Sequence, residues 1–220
     1  GARETATLTF AMSETVTDFV ASDIATSGGL LSNFSGSGSS YKATFTPNLN
    51  STTDGVVSVT SLLFSDALGN VNVDGSDANN TVRMTVDTIR PTISITSDRS
   101  NLLVGRTATL SFTLNEPATD FGLSDIVATG GTLSSLLGSG TSYTATFTPI
   151  PNSTANGVVS VASVMFSDAA GNFNVDGTEA NNTVTMTVNT FPDTTSPTIS
   201  IASDQGKLAV GQTATLTFTL

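Results

Sequence analysis

The 220-residue sequence has no cysteine, no histidine and no tryptophan. Without thiols there are no disulfides and no thiolate metal sites. Without histidine and cysteine, the commonest general base and the thiol nucleophile are missing. Lysine occurs only at Lys42 and Lys207, so residues 89–190 hold no Ser–Lys pair and no donor for an intramolecular Lys–Asn or Lys–Asp isopeptide bond. These gaps point away from an enzyme. Charged residues make up 11% of the chain, against roughly 25% in ordinary soluble domains. The few charges are mostly acidic, and the formal net charge is −11. Nucleic acid and anionic membrane surfaces recruit Lys and Arg, so neither suits this chain as a partner. Divalent cations do. No apolar run approaches the roughly 18 residues of a membrane helix, and no membrane insertion is expected in this segment.

What the sequence has in abundance is Thr, Ser and an internal repeat. Thr5-Ala6-Thr7-Leu8-Thr9-Phe10 recurs as Thr107-Ala108-Thr109-Leu110-Ser111-Phe112, and again as Thr213-Ala214-Thr215-Leu216-Thr217-Phe218. The register runs without a gap from Thr5/Thr107 to Thr88/Thr190, with about two-thirds of aligned positions identical. A period of this size marks an array of domains. The connections Ile89-Arg90-Pro91 and Phe191-Pro192-Asp193-Thr194-Thr195-Ser196-Pro197 break the pattern and read as linkers. The organisation is therefore a repeat over 1–88 that lacks its first strand, a complete repeat over 89–190, and a linker with the first two strands of a third repeat over 191–220. Two strands are marginal by themselves in water. The last piece reads as a window on a longer array, with strand exchange into another molecule as the alternative.

Within the complete repeat the period is two. Ala108, Leu110, Phe112 and Leu114 alternate with Thr and Ser, as do Tyr143, Ala145 and Phe147, and Val184, Met186 and Val188. Such alternation predicts half-buried antiparallel strands, near 92–96, 107–114, 119–128, 132–136, 142–148, 158–165 and 183–189. Turn signals at Gly130-Gly131, Gly138-Ser139-Gly140 and Pro149–Gly157 separate them. Seven short strands in about a hundred residues predict an all-β fold of tandem immunoglobulin-like seven-stranded β-sandwiches, linked end to end. Phe112, Phe121, Phe147 and Phe166 are the expected large core residues.

The segments Pro91-Thr92-Ile93-Ser94-Ile95, Val104-Gly105-Arg106-Thr107-Ala108-Thr109-Leu110, Ser142–Pro149, Gly157-Val158-Val159-Ser160-Val161 and Ser167-Asp168-Ala169-Ala170-Gly171-Asn172 resemble the bacterial Ig-like repeats of large extracellular adhesins and other surface proteins. The resemblance spans the whole chain. It implies a bacterial cell-surface or secreted location and a mechanical role, and it implies junctions stiffened by calcium.

Two candidate calcium sites come from the residues. Asn172, Asn174 and Asp176 precede Gly177, and Asn70, Asn72 and Asp74 precede Gly75; oxygen ligands at every second position before a Gly open a calcium loop. The twelfth position is Thr183 rather than Glu, which excludes an EF-hand, and Asn, Asp and Gly also build plain turns. The second candidate lies between repeats. In a seven-stranded sandwich the loops 115–119 and 167–182 share the pole where the chain enters, which brings linker residue Asp87 toward Glu116, Asp168 and Asn172. In the first repeat Asp66 is the counterpart of Asp168. Carboxylates gathered without a cation repel one another; either calcium or Arg90 would relieve them.

The reading is a structural or adhesive repeat region, a stalk or spacer with neighbouring repeats of the same chain as its partners, each repeat adding about 40 Å. A self-assembling extracellular filament or sheath, with other copies of the chain as partners, is the alternative. A glycan- or receptor-binding module is a third reading, weakened because Tyr41 and Tyr143 fall on the inward phase of their strands and leave no aromatic platform.

Overall fold

The computed structural model describes residues 4–220. The first repeat contains β1 (Ala6–Val16), β2 (Ile24–Ser27), β3 (Gly29–Pro47), β4 (Gly55–Val59) and β5 (Thr81–Met84). The second contains β6 (Ile93–Ser97), β7 (Asn101–Leu103), β8 (Ala108–Leu114), β9 (Ile126–Thr129), β10 (Gly131–Leu133), β11 (Leu137–Ser139), β12 (Ser142–Pro149), β13 (Gly157–Val161) and β14 (Thr183–Asn189). Beyond it lie β15 (Ser200–Ser203) and β16 (Leu216–Thr219).

In the second repeat one sheet has the order β10-β12-β8-β6, with β11 also on β12, and the other has the order β7-β14-β13-β9. The pairs are antiparallel except β14–β7, which is parallel. The inward residues of β8 and β12 are the Ala, Leu, Phe and Tyr of the alternating pattern, and Thr faces out, where it favours the extended backbone without adding charge. The seven expected strands correspond to β6, β8, β9, β10, β12, β13 and β14; β7 and β11 are additional pieces of three residues each.

Phe112, Phe147 and Phe166 are fully buried and Phe121 nearly so. Phe121 lies at the centre of the ring cluster, 5.1 Å from Tyr143 and 5.1 Å from Phe166 in edge-on contacts. The Phe147 ring is sandwiched between Gly131 of one sheet and Gly157 of the other, where any side chain would strike it. The first repeat repeats the device with Phe45 between Gly29 and Gly55.

Several strands are shorter than the alternation predicts, β10 among them, at Gly131–Leu133 against the expected 132–136. Of 119–128, only Ile126–Thr129 is strand; Leu123–Asp125 is a 3-10 turn closed by the Gly122 N–H donating to the Asp125 carboxylate at 2.8 Å. The expected strand 158–165 stops at Val161, because the chain turns at Val164, whose φ is 64°. In the first repeat, β1 pairs with β3, and β2, β4 and β5 form the facing sheet. Here β3 is one strand of 19 residues over the stretch that β10, β11 and β12 divide in the second repeat. Among the described residues the first repeat has no counterpart of β6 or β7. After the second repeat, β15 and β16 pair with each other and are exposed throughout.

Gly157→Ala is expected to destabilise the second repeat, because the new methyl would stand 2.6 Å from two atoms of the Phe147 ring; overpacking of this kind costs about 1–3 kcal/mol. Urea unfolding of Gly157→Ala, Phe147→Leu and the double variant checks the contact, with the double variant losing less than the sum of the two.

Candidate functional site

The site grows from the loop between β13 and β14. Asn174 holds that loop in shape. It is fully buried. Its Oδ1 accepts the N–H groups of Met165 at 2.8 Å and Phe166 at 3.3 Å, and its Nδ2 donates to the Ala162 carbonyl at 2.8 Å and the Asp176 carboxylate at 3.3 Å. Backbone bonds from Val164 to Asn174 and from Asn174 to Phe166 close the turn. Asn72 does the same in the first repeat, accepting from Leu63 and Phe64 and donating to Thr60.

These bonds tie the alternating side chains of the loop to protein groups. Asn174 has both amide atoms engaged. Asp176 is buried, with one oxygen bonded to Asn174 and the other accepting the Ile93 N–H at 2.6 Å. Asn172 donates its amide to Asp168 at 2.7 Å and to the Asp87 carbonyl at 3.1 Å. Asn174 and Asp176 touch each other, and otherwise the three side chains bind different parts of the chain. In the first repeat, Asn72 is the same strut and Asp66 accepts from Asn70 and Leu68. The Asp74 carbonyl accepts from Asn80, and its side chain is exposed.

The same loop grips the incoming linker. The first repeat ends at Thr88, whose N–H donates to the Ser51 carbonyl at 3.0 Å and whose hydroxyl donates to that of Asn48 at 2.7 Å. The Asp87 carbonyl is taken by Asn172, and its carboxylate accepts the Ile89 N–H at 3.2 Å. Asn115 clamps the next stretch, its Oδ1 accepting the Thr92 N–H at 2.7 Å and its Nδ2 donating to the Arg90 carbonyl at 3.2 Å. Asp176 then takes Ile93. Pro91 is buried. Little of the connection is left to swing.

At this joint the structure brings together Asp87, Glu116 and Asp168, each offering a carboxylate oxygen within 4.8 Å of the other two. They come from three segments: the linker, the turn after β8, and the turn held by Asn174. Asp168 is buried, and the other two are half-buried. Oxygen Oε1 of Glu116 is shut off from solvent and has no hydrogen-bond partner. Burial first, then the charges of Asp168 and Asp87, push the Glu116 carboxyl above its ordinary range. Arg90 does not relieve the cluster; the ion pair among the described residues is Arg99 with Asp98 at 3.9 Å. A hard divalent cation takes oxygen ligands of this kind, with water and carbonyls completing six to eight. Three carboxylates at one point, with a buried Glu116 oxygen unsatisfied, fit calcium.

Sequence reasoning missed Asn115 and the Thr88 latch. Thr190 repeats the latch in the second repeat, with bonds to Ile150 and Ser153, so duplication carried a signal for it. Asn115 aligns with Ser13, and no such signal marks it.

The raised Glu116 carboxyl has a defined sign. In the metal-free protein the folded state binds this proton more tightly than the unfolded chain does, so stability contributed by this residue falls as pH rises from about 4.5, the usual glutamate value, through the raised one. Glu116→Gln is expected to flatten that fall and to raise the metal-free melting temperature at pH 7. Melting curves of both proteins in chelator between pH 4 and pH 8 check it.

Comparison with known proteins agrees with the fold. The sequence model of the bacterial Ig-like domain matches residues 1–83 and again 87–188. No curated protein sequence matches at a significant level. Among solved structures, the Escherichia coli adhesin FdeC superposes over 84% of this chain and 60% of its own, with 16% identity and a TM-score of 0.42. Invasin, a bacterial integrin-binding protein, covers 94% of this chain and 40% of its own at 14% identity and a TM-score of 0.38. InvD of Yersinia pseudotuberculosis covers 93% and 59% at 16% identity and a TM-score of 0.34. The chain thus spans 40% to 60% of the length of these structures. The two profile matches take in 185 of the 220 residues, one repeat each, and the chain belongs to the bacterial Ig-like domain family.

Proposed function

We propose that the chain is a structural segment of a bacterial cell-surface or secreted protein. Its sandwiches are joined end to end as a stiff spacer, with calcium held at the joint by Asp87, Glu116 and Asp168. The observation that carries this reading is the absence of slack between the repeats. From Thr88 to Ile93 the connection is bonded backward to Asn48 and Ser51 and forward to Asn115, Asn172 and Asp176. A strut that must hold its direction needs that feature. Family membership supports the same role. Among the described residues no helix is long and apolar enough to cross a membrane.

Calcium would supply positive charge that lets the three carboxylates stay ionised at one point. Asp87 lies at the end of the first repeat and the other two belong to the second, so the ion would tie the two bodies directly. Asn172 positions Asp168 and the Asp87 carbonyl together, and Asn115 keeps Glu116 next to the linker.

Binding to the folded state alone adds about 2.7 kcal/mol when free ion exceeds Kd a hundredfold, which for domains of this size is a rise of several degrees in Tm. Calcium titration monitored by calorimetry, together with distances between spin labels placed one per repeat, tests the proposal. The expected result is a higher Tm and a narrower distance distribution in calcium, both lost in Asp168→Asn. An unchanged Tm on chelation overturns the calcium site. A broad distance distribution with and without the ion overturns the spacer.

A further inference from the structure

The loop between β13 and β14 is built inside out. Over 172–176 burial alternates strictly, and it is the polar side chains Asn172, Asn174 and Asp176 that are inside. Phe173 and Val175 between them are each 47% exposed. This stretch runs antiparallel to 164–168. The Val164 N–H donates to the Asn174 carbonyl at 2.8 Å, the Asn174 N–H to that of Phe166 at 3.1 Å, and the Asp168 N–H to that of Asn172 at 3.1 Å. Ser167 stands opposite Phe173. Phe166 and Asn174 take the inner face of this ribbon, so alternation puts Met165, Phe173 and Val175 on the outer face. Met165 is 36% exposed, and Val164 at the bend is 61% exposed. Both sheets of the sandwich are complete here, with β6 in place on β8.

Elsewhere the solvent side of this domain is made of hydroxyls. Thr109 and Thr113 on β8, Thr144 and Thr148 on β12, and Thr185 and Thr187 on β14 all face out. The ribbon departs from that pattern in both copies of the repeat. Leu62, Leu63, Val71 and Val73 are the counterparts of Val164, Met165, Phe173 and Val175; three of the four pairs differ, and no member is polar. All four counterparts are exposed as well. Leu62 and Val164 hold positive φ, 68° and 64°, which Gly or Asn adopts at less cost. Large apolar side chains kept in water, at a bend that disfavours them, mark a contact surface.

The outer face of the ribbon carries no charge in either copy, so two molecules of this acidic chain can meet there without repulsion. Four side chains, each about half exposed, offer roughly 300 Å² of apolar surface. A stable interface takes about 800 Å² from each partner, a little over half of it apolar. One patch falls short of that and two exceed it. A partner therefore has to engage both patches at the spacing of the repeats, and a second copy of the chain has that spacing. We propose that the ribbons at 62–73 and 164–175 pair two copies of this chain side by side, patch on patch. Both partners use the same surface, so the contact closes as a dimer. Two weak contacts on one chain reinforce each other through effective concentration. This pairing goes beyond the spacer reading, which a monomeric chain also satisfies.

Sedimentation of the intact chain at rising concentration should show a monomer–dimer equilibrium. Phe173→Thr/Val175→Thr is expected to weaken it about a hundredfold or more, and adding Val71→Thr/Val73→Thr to abolish it. Melting curves of these variants should stay in place, since the side chains replaced are exposed. Cross-linking gives a second readout, because the protein has no cysteine of its own. Copies carrying Val73→Cys/Val175→Cys should form disulfide-linked dimers under mild oxidation, whereas copies carrying Thr113→Cys, on the outer face of β8, should not. A chain that remains monomeric at several hundred micromolar overturns the proposal and leaves the patch to a partner of another kind. So does association that survives the four Thr substitutions, or cross-linking as efficient at Thr113 as at the ribbon.

Discussion

One buried amide sets the geometry of everything at the entry pole. Asn174 satisfies two N–H groups and one carbonyl of the turn after β13, and it orients Asp176. Burying a polar side chain is unfavourable unless its hydrogen bonds are made, and here both of its atoms are used. Because the turn is fixed, Asp168 and Asn172 project toward the linker and Asp176 reaches Ile93. The joint between sandwiches is thus built from the inside of one of them. The core beneath is fixed in a different way, by the Phe147 ring pressed between two glycines that admit no side chain.

The fold was legible because its cause is simple. Alternating Thr and aliphatic residues can bury one face only by forming strands, and a repeat of about a hundred residues with seven such stretches closes into two sheets. Strand ends were less legible, since they depend on single side chains. Asp125 closes a 3-10 turn where alternation alone would continue a strand. Val164 adopts a positive φ that its sequence disfavours, because Asn174 binds the residues on either side of that bend.

The site was legible in part. Asn172, Asn174 and Asp176 have the spacing of cation ligands, yet the chain there is extended enough that alternate side chains serve different neighbours: the linker, the β13 turn and the start of β6. Side chains close in sequence are often poor at meeting at a point. Asp87, Glu116 and Asp168 do meet, and they are far apart in sequence. They could be named beforehand only through topology, which places both loops at the pole facing the linker. Asn115 escaped notice because nothing in its composition or in the other copy of the repeat distinguishes it.

The parallel pairing of β7 with β14 has a mechanical consequence. Tension along such an array enters the second sandwich at Ile93 and leaves at Asn189. From β6 the chain passes into β7, which lies beside β14 in the same direction, joined over Thr187–Asn101, Val188–Leu102 and Asn189–Leu103. Pulling on opposite ends of parallel neighbours slides them past each other, so their hydrogen bonds resist in concert instead of parting one after another as in a peeled hairpin. The Thr187 hydroxyl adds a further tether to the Ser100 carbonyl. A three-residue strand that sequence alternation passes over is therefore loaded in shear when the two ends of the domain are pulled apart.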